Sequence, residues 1–122
     1  MSYVCDIKHL IMTYSKKDNF DQNSQKIAMI CKALSHPARI AILKYLAEQK
    51  TCVSGDITSE IPLSRTTVSQ HLQELKNCGI IHGEISGTKV NYCLCNEHVK
   101  EVKSLLDNFI KIIDIGPTNC KL

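Results

Sequence analysis

The chain has 122 residues, 43% of them hydrophobic and 22% charged, with a formal net charge of +3. That length holds one domain and a modest core, and 5% aromatic content without a tryptophan points to a core of Ile, Leu and Val. No apolar run approaches the roughly 20 residues of a membrane span, and Asp6, Lys8 and His9 interrupt the segment where a signal peptide would be apolar. A cytoplasmic protein with no membrane partner is therefore expected. A mildly basic balance admits nucleic acid as a partner but does not by itself point to it.

Val4, Ile7, Leu10, Ile11 and Tyr14 recur at helical spacing and predict an N-terminal helix over about 3–14. A polar stretch from Ser15 to Ser24 follows. Helical spacing resumes from Gln25 with Ile27, Ile30, Cys31 and Leu34, and stops near Ser35-His36 because the residue before Pro37 is pushed out of the helical region. Pro37 suits the first turn of the next helix, which carries Ile40, Ile42, Leu43 and Leu46. A short helix is expected at Ser54 to Glu60, with Ser54 as N-cap and Ile57 inward. After the break at Pro62, Ser64 starts another helix with Val68, Leu72 and Leu75 on its buried stripe, and Gly79 ends it.

Beyond Gly79 the apolar period changes to two. Ile80 to Ile85, the Ser86-Gly87 turn and Thr88 to Leu94 predict a β-hairpin. A last helix from Asn96 carries Val99, Val102, Leu106, Phe109 and Ile113, a face wide enough to meet a second copy of itself. The expected fold is mainly α with a β-hairpin wing, in the order α-α-α-α-α-β-β-α. It forms one domain over residues 1–122. Its winged helix-turn-helix unit spans about 25–95, and the helices at about 3–14 and 96–114 form a dimer interface.

The second helix of the helix-turn-helix has a surface suited to a major groove. Ser64, Arg65, Thr66, Thr67, Ser69, Gln70 and His71 offer hydroxyl, amide, imidazole and guanidinium groups to phosphates and base edges. No carboxylate occurs there before Glu74. Thr88 and Lys89 on the wing are placed for backbone or minor-groove contact.

The run Lys32-Ala33-Leu34-Ser35-His36-Pro37-Ala38-Arg39-Ile40-Ala41-Ile42-Leu43 resembles the opening signature of the ArsR/SmtB family of metalloregulatory repressors. So do Leu63 to Leu72, Leu75-Lys76 with Cys78-Gly79-Ile80-Ile81, Gly87 to Val90 and Tyr92-Cys93-Leu94. The resemblance covers roughly residues 25 to 110 without large gaps, and several ordered blocks make it specific. It implies a homodimer on a double-stranded DNA operator dyad that an inducer releases.

Seven cysteines, irregularly spaced, do not make a secreted disulfide framework. In the related arsenic repressors one inducer site is a Cys-Val-Cys-Asp run before the recognition helix. Aligned back from that helix, Val53 and Gly55 take the two ligand positions and Cys52 is displaced by one, so that site is expected to be absent. The family's zinc site would here meet Asn96, His98, Phe109 and Ile112; one ligand of four cannot hold tetrahedral zinc, and His98 is expected at the surface or as a cap.

Cys93 and Cys95 remain. Strand alternation sets Val90, Tyr92 and Leu94 inward and leaves the two cysteines on the opposite, solvent face. The expected inducer site is this pair, binding a soft centre such as As(III), as arsenite or methylarsenite, with Cys120 or Cys5 as a third ligand. Cys31 and Cys78 are expected in the core. No constitutive cofactor is expected.

Thiol redox sensing is the main alternative, and since adjacent CxC pairs close poorly it would need a distal cysteine. A DNA binder without cysteine sensing is the other. No catalytic constellation or phosphate-cradling loop can be placed, so an enzyme is not expected.

Overall fold

The computed structural model describes residues 19–54, 57, 60–87 and 89–118. The helix expected over 3–14, most of the one expected over 54–60, and Thr88 lie outside them. The described elements are α1 (Gln22–Ala33), α2 (Pro37–Gln49), β1 (Val53–Ser54), α3 (Arg65–Asn77), β2 (Ile81–Ser86), β3 (Lys89–Leu94) and α4 (Asn96–Ile113). The fold is mainly helical with a small antiparallel wing, as expected.

Local chemistry sets the boundaries. The α1 helix begins three residues before its apolar period, because Asp21 is extended and its carbonyl accepts from the Gln25 N–H at 3.1 Å. Pro37 opens α2, and His36 caps it by accepting the Ala38 N–H at Nδ1, 3.0 Å away. Ser64 caps α3 by accepting the Thr67 N–H at 3.2 Å. Gly79 follows the end of α3 at φ 87°, a left-handed turn that a side chain would strain, and its N–H returns to the Lys76 carbonyl at 3.0 Å.

Ser54 is a strand residue rather than a helix cap. β1 pairs with β3 (Val53↔Tyr92, Ser54↔Asn91), giving a three-stranded antiparallel sheet of order β1-β3-β2. The hairpin register runs from Ile81↔Leu94 to Ser86↔Lys89. One further bond, Cys95 N–H to the Ile80 carbonyl at 2.9 Å, carries the ladder to the N-cap of α4, so wing and last helix join without a linker.

The core lies where α2, α3 and the sheet base meet. Ile42 and Leu46 from α2 pack with Val68, Leu72 and Leu75 from α3, with Ile57, Ile61 and Ile80 from the connecting segments and with Ile81 of β2. Each such buried side chain contributes about 1.5–3 kcal/mol relative to exposure. Cys78 is buried with them as expected, and burial pushes its thiol above its ordinary range. Cys31, expected in the core, is exposed. The far end of α4 is uncovered: Phe109, Ile110, Ile112 and Ile113 are exposed, Ile112 to 72%. Among the described residues no helix is long and apolar enough to cross a membrane.

His98 contradicts its expected place at the surface. It is 1% exposed, and neither ring nitrogen has a hydrogen-bond partner. Spacing explains this: His98 precedes Val102 by four residues on the face of α4 that packs inward. Burial lowers its pKa; the Glu101 carboxylate and the adjacent Cys78 backbone offset part of this, the latter without a properly oriented hydrogen bond, while Lys26 lowers it further.

A histidine whose folded pKa is depressed is protonated more readily in the unfolded chain, so stability is lost as pH falls below the ordinary 6.5. Thermal melts should therefore show a falling midpoint between about pH 7 and pH 5. A His98→Leu variant should flatten that dependence without loss of stability at pH 7. An unchanged pH profile in the variant would contradict the assignment.

Candidate functional site

The inward stripe of α3 is Val68, His71, Leu72 and Leu75. Arg65, Thr66, Ser69 and Gln70 are exposed on the opposite side, and Ser64 is exposed at its start. Thr67 is half-buried. Its hydroxyl accepts from Ser64 Oγ at 2.9 Å, so these two residues also tie the first turn together. These groups leave one helix face rich in hydroxyl, amide and guanidinium groups and free of carboxylates before Glu74.

His71 is a correction to the expected contact set, since it is only 8% exposed. Its Nδ1 accepts from Arg39 Nε at 3.1 Å, and its ring lies against His36 with centroids 4.4 Å apart. An Nδ1 that accepts this bond carries no proton, so the ring is neutral. Its pKa is held below the ordinary value by burial, then by the neighbouring His36 and Arg39. Arg39 also donates through Nη1 to the carbonyls of Ala33 (3.1 Å) and Lys32 (3.4 Å). One guanidinium on α2 thus fastens the end of α1 to α3.

The wing turns at Gly87, φ 63°, and Lys89 is exposed beside it. At the wing's base, Tyr92 and Leu94 pack against the core as expected, whereas Val90, expected inward with them, is exposed where the hairpin extends past the core. The solvent exposure expected of the other face is not found. Cys93 is 6% exposed and Cys95 4%. The β1–β3 register, continued by one residue, sets Cys52 across from Cys93, and the two form a disulfide with Cα atoms 4.3 Å apart. Cys95 is also disulfide-bonded.

Glu84 completes a cluster in which one ligand atom each from Cys52, Glu84 and Cys93 lies within 4.8 Å of the others. It belongs to this face because it pairs with Asn91, two residues before Cys93. A cleft of about 320 Å³ opens beside the sulfurs, between Leu46, Ala47 and Lys50 of the α2 end and Leu94. Cys52 is exposed at this cleft and Cys93 is covered.

Residues 36–82 match the model of the bacterial regulatory protein arsR family. An HTH-type transcriptional regulator of Methanocaldococcus jannaschii is 37% identical over 83 residues, 68% of this chain and 93% of its own. The chain belongs to the ArsR family. A CadC homolog of Staphylococcus aureus, a cadmium resistance transcriptional regulatory protein, is 40% identical over 89 residues, 72% of this chain and 73% of its own.

Solved structures repeat the fold. HlyU from Vibrio cholerae aligns with a TM-score of 0.59 and 27% identity, over 77% of this chain and 98% of that one. A homodimeric winged helix-turn-helix DNA-binding domain from Mycobacterium bovis aligns with a TM-score of 0.59 and 22% identity, over 90% of this chain and 98% of that one. As an ArsR-family member the chain is a DNA-binding transcriptional regulator and not an enzyme.

Three site features escaped the residue-level reading. Cys52 was set aside because it is one position out of step with the relatives' motif; only the pairing of β1 with β3 shows that it faces Cys93. Glu84 sat unremarked in the hairpin. Arg39 stood in the quoted signature without a role, although a lone Arg two residues after an opening Pro was a signal for a cap on the preceding helix.

Replacing Arg39 by Met keeps the aliphatic stem and removes all three of its hydrogen bonds. Urea unfolding should show a loss of about 2–3 kcal/mol, the scale of charge-assisted bonds to partly buried acceptors. A loss below about 0.5 kcal/mol, the range of ordinary surface substitutions, would show that the clamp is dispensable.

Proposed function

We propose that this regulator is a homodimeric repressor that leaves its operator when a thiophilic ion is held by thiolates at the base of the wing. The observation that carries the reading is the convergence of Cys52, Cys93 and Glu84 within 4.8 Å. Reduction of the pair frees two soft sulfurs beside a hard oxygen, a donor set that suits a divalent soft cation such as Cd(II). The kinship to a cadmium resistance regulator points the same way. Trivalent arsenic prefers a third sulfur, which Cys95, two residues from Cys93, would supply once its own disulfide is reduced, with Cys5 and Cys120 as further donors. This reading replaces the Cys93–Cys95 pair by Cys93 with Cys52 at its centre.

In this proposal Arg65, Thr66, Ser69 and Gln70 read the major groove. Ser64 and Thr67 support the first turn and reach phosphates, and Thr88 and Lys89 contact the backbone from the wing. His71 orients the helix from inside rather than touching DNA. Dimerisation uses the exposed apolar end of α4, where Phe109, Ile110, Ile112 and Ile113 form a surface that a lone chain leaves in water. The homodimeric state of the Mycobacterium bovis domain supports a second copy as the occupant.

A bound ion would supply a crosslink between β1 and β3. Because β3 runs directly into α4, a shift there alters the angle between reading module and dimer axis, and hence the spacing of the two α3 helices. The ion need only favour one arrangement by the 1–3 kcal/mol typical of allosteric coupling.

Fluorescence anisotropy on the reduced protein tests the proposal. Cd(II) or As(III) should weaken operator binding about 5–150-fold, and Cys93→Ser should remove the response while keeping ion-free affinity. Full release of the Cys93→Ser variant by either ion would refute this site. In sedimentation, Phe109→Glu combined with Ile112→Glu should convert the dimer to monomer and weaken operator binding.

A further inference from the structure

We infer that Cys52 and Cys93 are a dithiol–disulfide pair open to exchange with low-molecular-weight disulfides, with Cys52 as the entry sulfur and Cys93 as the resolving one. The inference deepens the proposed ion site, because oxidation would withdraw the same two sulfurs from it. The exchange itself does not depend on that reading.

Three observations carry it. The strand register holds the two residues opposite each other, with Cα atoms 4.3 Å apart, and in this structure they are bonded. Their exposure is unequal: Cys52 is at the surface and Cys93 is 6% exposed. The cleft beside them, about 320 Å³ and lined by both sulfurs' residues together with Lys50, gives a small disulfide room to approach Cys52. Neither Cys31, which is exposed, nor Cys78, which is buried, is paired.

The chemistry balances with a small disulfide, RSSR, as oxidant. The Cys52 thiolate attacks one sulfur of RSSR, the S–S bond breaks, and one RS⁻ leaves and takes a proton from water. The Cys93 thiolate then attacks Cys52 Sγ in the mixed disulfide and expels the second RS⁻. Two electrons pass from the protein sulfurs to RSSR, and two RSH are released. The new bond spans 41 residues, and that loop contains the recognition helix and the wing. Oxidation therefore ties the base of the DNA-reading unit shut at both of its chain ends.

The test uses the full chain, reduced and then exposed to oxidised glutathione under anaerobic conditions, with non-reducing peptide mapping. The wild type should yield a Cys52–Cys93 crosslinked peptide. Cys93→Ser should accumulate a glutathione adduct on Cys52, and Cys52→Ser should be modified at Cys93 at least about tenfold more slowly, as access controls exchange. The Cd(II)–thiolate absorption band, measured against the Cys52→Ser/Cys93→Ser double variant, should vanish on oxidation and return with dithiothreitol.

Absence of the crosslink, or equal reactivity of Cys93 when Cys52 is gone, overturns the inference. A crosslink that forms in a protein whose reduced state shows no Cd(II) band above the double variant upholds the exchange and removes the ion site instead.

Discussion

A recognition helix is useful only if its rotation about its own axis is set, and in this chain that rotation depends on four inward side chains. Val68, His71, Leu72 and Leu75 follow the i, i+3, i+4, i+7 pattern, and the first, third and fourth are essentially inaccessible. Turning α3 by one residue, about 100°, would bring Ser69 or Gln70 into the core and lift an aliphatic side chain into water. Burial of the stripe thus decides which polar groups face outward. The Arg39–His71 bond adds direction that apolar packing lacks, because a hydrogen bond at 3.1 Å tolerates little sliding of α3 along α2.

The second constraint is continuity from wing to last helix. The β ladder runs through Leu94, is extended by the Cys95 N–H, and becomes α4 at the next residue. No hinge of glycine or proline intervenes between Lys89 and Ile113. In the proposed switch, a displacement at Cys93 would therefore reach α4 with no flexible hinge between them. On the other side, Cys52 precedes β1, and β1 leads into the segment before α3. The cysteine pair is placed where the chain's entry to the DNA-reading unit meets its exit.

Much of this was legible from local pattern. The described helices α1 to α4, the proline opening of α2, the serine cap of α3 and the hairpin all follow from spacing and turn chemistry that act over a few residues. The two histidine corrections share one cause. The polarity of His71 suggests the DNA face, yet its position three after Val68 and four before Leu75 already places it on the stripe. His98 failed in the same way, as a polar residue on an inward position. The fate of Cys52 is different. Its partner lies 41 residues away, and a two-residue strand without an alternation signal supplies the register that joins them. Local periodicity carries no information about such a pairing.

Electrostatics then explains why one small cluster serves both proposed chemistries. Reduction of the pair would leave two sulfurs beside the Glu84 carboxylate, with Cys93 covered from water, so that negative charge gathered there would be self-repelling. Such a group is relieved in one of three ways: by retaining protons, by accepting a cation, or by joining the sulfurs and removing both negative charges. The first leaves the pair inert, and the other two each tie β1 to β3. In the two proposals, ion and oxidant would therefore act on the same connection between β1 and β3 while excluding each other chemically.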